Sequence, residues 1–356
     1  MECPTAAAAS GRVCAVLRRA AIVVALASLL MCFSASATPP GRNGKIAFSR
    51  YRFVNSPLRQ EIWVAQPDGG GARRLTVAPA NYLDSEPDSS PDGRTIAFNR
   101  CAPSKRGAGE GRCTIWTVRT SGSGLQQLSP CRTAATNLRA CPDQNHPDYS
   151  PDGRELAFAA YTGVPGFCIA DTALVHTRCH YPFGRRSDAP DIGSVEWSPS
   201  GNELALTVHN DNGKHFKPIG ASAVFVIGRD GSGLRRLTPW RLPVGGGVDW
   251  SPDGSRVLFQ SLTAHYEIPG GEIGDLYTIT VAGSKLQRLT HAGAGVAVGS
   301  FSPDGTRIVY ATTAGAQTNG GGQTYPDVVT IPAQGGAVEH VTHTRNVEGA
   351  PDWGTG

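Results

Sequence analysis

Ser90-Pro91-Asp92-Gly93 returns along the chain as Ser150-Pro151-Asp152-Gly153, Ser198-Pro199-Ser200-Gly201, Ser251-Pro252-Asp253-Gly254 and Ser302-Pro303-Asp304-Gly305. Proline presets φ at the second position, aspartate or serine can bond nearby backbone, and glycine takes the positive φ of a hairpin return. Each copy is therefore read as a hairpin turn. The residues that follow alternate, as in Thr95-Ile96-Ala97-Phe98, Glu155-Leu156-Ala157-Phe158, Arg256-Val257-Leu258-Phe259 and Arg307-Ile308-Val309-Tyr310, which predicts strands. A further strand comes next in Ile62-Trp63-Val64, Ile115-Trp116-Thr117-Val118, Val224-Phe225-Val226-Ile227 and Leu276-Tyr277-Thr278-Ile279. A second tight turn then leads into a closing segment.

That segment recurs as Arg73-Arg74-Leu75-Thr76, Gln126-Gln127-Leu128-Ser129, Arg235-Arg236-Leu237-Thr238, Gln287-Arg288-Leu289-Thr290 and Glu339-His340-Val341-Thr342. Its ends lie 53, 109, 52 and 52 residues apart, and 109 spans two periods because the third copy is degenerate. Four short strands in about 50 residues make a propeller blade. The chain is expected to be all-β, a six-bladed β-propeller of four-stranded antiparallel blades. The blades fall at about 43–76 with 348–353, 84–129, 145–190, 194–238, 247–290 and 298–342. The first copy begins at Asn43, past its turn and without its first strand, while Pro351-Asp352-Trp353 matches the strand before other turns, such as Val248-Asp249-Trp250. The C-terminal strand is thus expected to complete the first blade and close the ring, which removes exposed edges.

Composition agrees, with 44 glycines and 26 prolines in 356 residues and no long helical spacing of apolar residues past the N-terminus. Residues 1–37 read as a signal peptide: Arg12, Arg18 and Arg19, an uncharged apolar run from Ala20 to Phe33, then Ala35-Ser36-Ala37 as a small-x-small site. The run has 14 residues, short of the roughly 20 that span a bilayer. Residues 38–356 are expected to be a secreted, periplasmic or cell-surface monomer with no stable membrane span. Losing the leader removes three arginines and one glutamate and leaves a net charge of +2, with no basic block. That argues against a nucleic-acid footprint. Six of nine cysteines remain, as the near neighbours Cys101/Cys113, Cys131/Cys141 and Cys168/Cys179. An even count in an exported chain points to disulfides, and of fifteen connectivities the sequential one is simplest. The rival is a metal site, since His176 and His180 flank Cys179, though no Cys-x-x-Cys pair occurs.

The order Asp-Trp-Ser-Pro-Asp-Gly, an Ile-Ala-Phe-like strand, a Tyr- or Trp-containing strand, Asp-Gly-Ser-Gly and Arg-Arg-Leu-Thr resembles the TolB-type propeller repeat over about residues 43–353. The third repeat departs after Phe158, where a cysteine-containing insertion replaces the second turn and closing segment. The resemblance implies an extracytoplasmic scaffold that recognises a protein or peptide partner, such as a cell-envelope component. The TolB protein itself carries an additional N-terminal α/β domain, whereas only about five residues separate the expected cleavage site from the first strand here, so a role in the Tol system is not expected. Propeller blades of this type also precede peptidase domains, but nothing follows the last strand, so the propeller is expected to stand alone.

Blade geometry puts the Ser-Pro-Asp-Gly and Asp-Gly-Ser-Gly turns on one face and the other connections on the opposite face. Those others are long and individual: Arg50 to Gln60, Arg100 to Arg112, Val208 to Ala221, Ser261 to Gly274 and Thr312 to Pro326. Varied loops on a rigid scaffold are where binding resides, and tolerated loop drift stapled by cysteines is the plainer account. Two residues before the turn serines stand Asp88, Asp148, Glu196 and Asp249, with Asp352 in the closing strand and Ser300 in the remaining blade. Facing a channel, these carboxylates are candidate ligands for a hard cation such as Ca²⁺; alternatively each bonds its own turn or a neighbouring blade. No cofactor is required. The loops leading to the innermost strands add His146, His180, Trp240, Arg241, His291, His343, Arg345 and Asn346 near the expected channel mouth. Aromatic and arginine anchors of this kind suit recognition of a peptide or protein, whereas lone loop histidines are commonly just solvated.

No Gly-x-Ser-x-Gly elbow, His-Glu-x-x-His helix or phosphate loop occurs, so a non-catalytic binding scaffold is the first reading. The alternative is an extracellular polysaccharide lyase or glycosidase using Asp84, Glu86, Asp143 and His146 as acids and bases at the channel mouth. It requires those groups to converge around an open pocket.

Overall fold

The turn chemistry is built as the sequence requires. Ser90 Oγ donates to Asp92 Oδ1 at 2.6 Å, the Thr95 N–H donates to Ser90 Oγ at 3.0 Å, and Gly93 closes the turn onto the Ser90 carbonyl with φ 65°. The same set recurs at Ser150, Ser251 and Ser302. Where Ser200 replaces aspartate, its hydroxyl meets that of Ser198 at 3.0 Å. The Ser90 hydroxyl is the main reason that the Asp92 carboxyl sits below the usual range.

A computed structural model describes residues 40–52, 59–103, 110–128, 142–210, 220–268, 271–291, 293–297, 299–316 and 325–356. The leader, Cys131 and Cys141 lie outside the described residues, as do parts of the long connections. Among the described residues there is no helix. The strands are Asn43–Arg52 (β1), Arg59–Ala65 (β2) and Arg73–Arg74 (β3), then Leu83–Ser89 (β4), Thr95–Pro103 (β5), Glu110–Arg119 (β6) and Gln126–Gln127 (β7). Next come Asp143–Tyr149 (β8), Glu155–Tyr161 (β9), Pro165–Asp171 (β10) and Thr177–His180 (β11), followed by Asp191–Trp197 (β12), Glu203–Asn210 (β13), Ala221–Gly228 (β14) and Arg235–Arg236 (β15). The last are Val244–Trp250 (β16), Arg256–Ile268 (β17), Gly271–Thr280 (β18), Gln287–Arg288 (β19), Ala294–Ala297 (β20), Arg307–Thr312 (β21), Asp327–Pro332 (β22), Glu339–His340 (β23) and Val347–Thr355 (β24).

Each repeat forms a four-stranded antiparallel unit in chain order, β4 to β7, β8 to β11, β12 to β15, β16 to β19 and β20 to β23. The remaining unit is made from both ends: β24 pairs with β1, with Ile46 opposite Trp353 and Ala47 opposite Asp352, and β2 and β3 follow. Two pairs of units touch along an edge, through Gln60 opposite Leu83 and through Glu272–Gly274 against Ala294–Val296.

Successive strand residues point to opposite faces, and here both faces are buried. Phe98 packs with Ala47, Ile62 and Val64 of the preceding unit, while Ala97 on the other face joins Leu156 and Phe158 of the following one. Every neighbouring pair of units has its own apolar cluster, including the last and the first, where Val309 and Val328 pack on Ile46, Phe48 and Trp353. Burying a phenylalanine in such a cluster contributes about 2–3 kcal/mol.

The structure corrects two sequence expectations. Ser261 to Gly274 is not a loop: β17 and β18 extend through it, with Ala264 opposite Ile273 and Ile268 opposite Gly271. No glycine or proline interrupts the chain from Gln260 to Ile268, so the strand runs on. In the third repeat, the cysteine-containing insertion is itself the closing strand, β11, with Cys179 opposite Cys168. Cys101 with Cys113 and Cys168 with Cys179 are disulfides between facing strand positions, which removes the metal reading at Cys179. Two disulfides fit an extracytoplasmic protein.

Candidate functional site: the carboxylate-lined cavity

The innermost strands bulge just before their turns. Register shifts separate Ser85 from Asp88, Asn145 from Asp148 and Ile192 from Val195, and the non-glycine residues Glu86, His146 and Ala350 take left-handed φ of 49°, 51° and 43°. A bulge re-aims the side chains beside it. Here it turns the carboxylates that follow toward the next unit.

Each then grips its neighbour's backbone. Asp88 accepts from the Tyr149 N–H at 2.8 Å, Asp148 from Trp197 at 2.5 Å, and Asp249 from Phe301 at 2.7 Å. Ser300 Oγ accepts from Trp353 at 2.7 Å, and Asp352 from Ser89 at 2.9 Å. The donor is always the residue before the turn serine or its counterpart in β24. Glu196 is the exception. It shares a hydrogen bond with Asp148 instead, and the next unit is joined through Trp250 Nε1 donating to the Glu196 carbonyl at 3.2 Å.

These groups line a cavity with about 70 Å³ of room for water, which Glu86 and His146 also border. Asp148 and Asp249 are buried, and Asp88, Glu196 and Asp352 keep part of their surface open. Burial, and then like charge, pushes Asp88 and Glu196 well above the usual carboxyl range. Burial is also the main cause for Asp148, for Asp352 and for Asp249, which is pushed up to about 8. Among the described residues, no three of the ring carboxylates come within 4.8 Å of one another as cation ligands would.

The four residues considered for catalysis divide into separate environments. Glu86 Oε2 lies 3.4 Å from His146 Nδ1, both partly exposed at the cavity. Asp84 is instead buried in a double hydrogen bond to Arg100 at 2.6 and 2.7 Å, with the guanidinium over Trp116, and Asp143 accepts from the Cys113 N–H at 2.7 Å.

The binding candidates are likewise spread out. His180 ends the outer strand β11, ahead of the connection to β12, and stacks on Phe167 at 5.0 Å, so it sits on the outer side of its unit. Partial burial, and then Arg178, holds its imidazole below the usual range. Trp240 packs on Phe225 with Arg236 over its ring. Arg241, His291 and Arg345 are exposed, and Asn346 bonds Thr344. His343 stands beside Asp327 and His340, two residues that sequence reading did not single out. Of the two sequence readings of the carboxylates before the turn serines, bonding to a neighbouring blade is the one seen at Asp88, Asp148, Asp249 and Asp352.

No protein-family model matches the chain, and no curated protein is similar to it in sequence. Solved structures are similar in fold. TolB from Acinetobacter baumannii aligns at 17% identity and TM-score 0.59, covering 88% of this chain and 67% of that one. A putative TolB from Agrobacterium tumefaciens aligns at 18% identity and TM-score 0.56, covering 86% and 91%. A chain of a nidogen/laminin complex aligns at 12% identity and TM-score 0.56, covering 87% and 98%. The fold is that of the TolB-like β-propellers.

Proposed function

We propose that the chain is an exported six-bladed propeller scaffold, its first blade completed by β24, that binds another protein through the face opposite the Ser-Pro-Asp-Gly turns. The observation that carries this reading is the unequal use of the two faces. On the turn face, side chains are spent internally: each turn serine and its aspartate bond one another and the local backbone. The turns also abut from unit to unit, Pro91 against Gly153, Pro151 against Gly201 and Pro199 against Gly254. The opposite face carries the connections that differ in length and sequence, one of them closed by Cys101–Cys113.

Six blades and a closed ring are supported by the backbone grips and by the apolar cluster between the last and first units. A protein partner is supported by the likeness to a chain of a nidogen/laminin complex. An acid–base site for a polysaccharide is disfavoured by size and geometry. The cavity is far below the roughly 300–1,000 Å³ of ligand pockets, and Asp84 and Asp143 are bound elsewhere. The ring carboxylates serve here as interblade clasps, with Ca²⁺ not required. No helix among the described residues is long and apolar enough to cross a membrane, and the scaffold is proposed to act as a monomer outside the cytoplasm.

The test is affinity capture from the protein's own envelope and culture fluid with three forms: the unaltered chain, one shortened between Val208 and Ala221, and one carrying Arg94→Glu and Arg154→Glu on the turn face. A partner held by the first and third and lost by the second supports the reading. Absence of any partner, together with turnover of a polysaccharide panel, overturns it.

A further inference from the structure

We propose that Asp327, His340 and His343 form a binding site for a divalent transition cation of the zinc class. Among the described residues this is the one group of three or more His, Cys, Asp or Glu side chains whose ligand atoms all lie within 4.8 Å of one another. His343 Nδ1 is 3.4 Å and His340 Nδ1 3.8 Å from Asp327 Oδ2. Ligands bonded to zinc at about 2.0–2.1 Å in a tetrahedron stand about 3.3 Å apart. The cluster is therefore close to ligating geometry before any ion draws it in.

The second observation is the state of the carboxylate. Asp327 is fully buried, yet its Oδ2 has no hydrogen-bond partner and faces the two imidazoles. Its other oxygen is held: Oδ1 accepts from the Thr344 N–H at 2.9 Å. A buried carboxylate oxygen left unpartnered is costly, and a cation relieves that cost. Glu348 behind the site is not a competing ligand, because Arg50 and the hydroxyls of Thr342 and Thr344 occupy it. Those contacts fix the segment that carries His343, as outer hydrogen bonds do in metal sites.

The repeat supplies the contrast. Thirteen residues after an acid in the third strand, the first and fifth units place an arginine: Arg74 bonds Glu61 at 3.2 Å, and Arg288 bonds Asp275 at 2.5 Å. Arginine satisfies the carboxylate and cannot ligate a metal. In the last unit, the same spacing brings His340 beside Asp327, and His343 is added three residues on. The change exchanges a guanidinium for two imidazoles around one carboxylate, a donor set suited to zinc and its neighbours. His340 Nδ1 also lies 3.3 Å from the Thr342 carbonyl, so ligation through that nitrogen replaces this contact. Three protein ligands leave a fourth position open to water or to a group from a partner, since the site lies where β22 begins and β23 ends, on the loop face.

The test uses tag-free mature protein stripped with EDTA. Zn²⁺ is titrated calorimetrically, and Co²⁺ is followed by visible absorption. The unaltered chain is expected to take one equivalent and to give the intense visible band of tetrahedral Co²⁺. His343→Ala, at an exposed position, and His340→Arg, which restores the pairing of the other units, are each expected to weaken binding at least tenfold. Thermal unfolding in EDTA checks that both variants remain folded. Lack of stoichiometric binding, or binding equally strong in both variants, overturns the proposal.

Discussion

The carboxylate of Asp352 accepts a hydrogen bond from the backbone N–H of Ser89 at 2.9 Å, across 263 residues of sequence. This contact joins the unit made from both ends of the described chain to the one after it, because Asp352 belongs to the strand that pairs with β1 and Ser89 ends the innermost strand of the next unit. Removing the acceptor strands a part-buried N–H. Asp352→Ala is expected to cost about 1–3 kcal/mol, read as a lower thermal midpoint. Asp352→Asn keeps an acceptor and is expected to cost less. Equal stability of the alanine variant and the unaltered chain would show that this grip contributes nothing.

The seam has a second contact that a glycine makes readable. Gly93 has φ +65°, and a Cβ there would meet the Thr355 carbonyl oxygen at 2.3 Å; Gly233 has φ +68° with nothing within 4 Å. Left-handed backbone alone costs an L-residue about 1–2 kcal/mol. Gly233→Ala is expected to lose that amount and Gly93→Ala distinctly more, measured by denaturant unfolding. Equal losses would mean that β24 does not press on the turn.

Stability should fall as pH rises across the neutral range. Asp249, raised to about 8 by burial, and the other ring carboxyls, raised chiefly by burial, keep protons that the unfolded chain releases near pH 4. Their contribution is complete below about pH 4 and is lost as pH climbs through the raised values. The turn aspartates, such as Asp92, are lowered and act only at more acid pH, where protonating them removes stability. The thermal midpoint is expected to decline between about pH 5 and pH 8. Asp249→Asn should flatten that decline, since an amide accepts from Phe301 without charge. A midpoint rising steadily over the window would contradict the assignment.

Among the described residues, reduction should act through two staples. Cys101–Cys113 and Cys168–Cys179 close segments with sequence separations of 12 and 11, and loops of that size are worth about 3 kcal/mol each by chain entropy. Replacing Cys168 and Cys179 together by serine is expected to lower stability by roughly 2–3 kcal/mol. Unchanged unfolding would mean that strand pairing alone holds β11.

Much of this was legible in the sequence because the turn repeats. Ser-Pro-Asp-Gly gave the strand order, and Pro351-Asp352-Trp353 gave the pairing of β24 with β1. The third unit was harder, since Thr177–His180 has lost the Arg-Arg-Leu-Thr pattern and is held by a disulfide instead. His180 was therefore expected at the channel when it lies on an outer strand. The ring carboxylates were visible, but their partners are backbone N–H groups, which leave no mark on composition. Asp327 and His340 went unread because they meet only across a strand pair. Their signal was the thirteen-residue spacing shared with Glu61 and Arg74.

We propose that the turn face of the propeller is structural and that the opposite face binds. Hydrogen exchange of the mature protein, alone and with its captured partner, tests it most directly. Slowed exchange is expected in the described connections of the loop face, such as residues 77–82, 181–190 and 239–243, with the Ser-Pro-Asp-Gly turns unchanged. Protection centred on Ser90 to Gly93, Ser150 to Gly153 and Ser251 to Gly254 would contradict it.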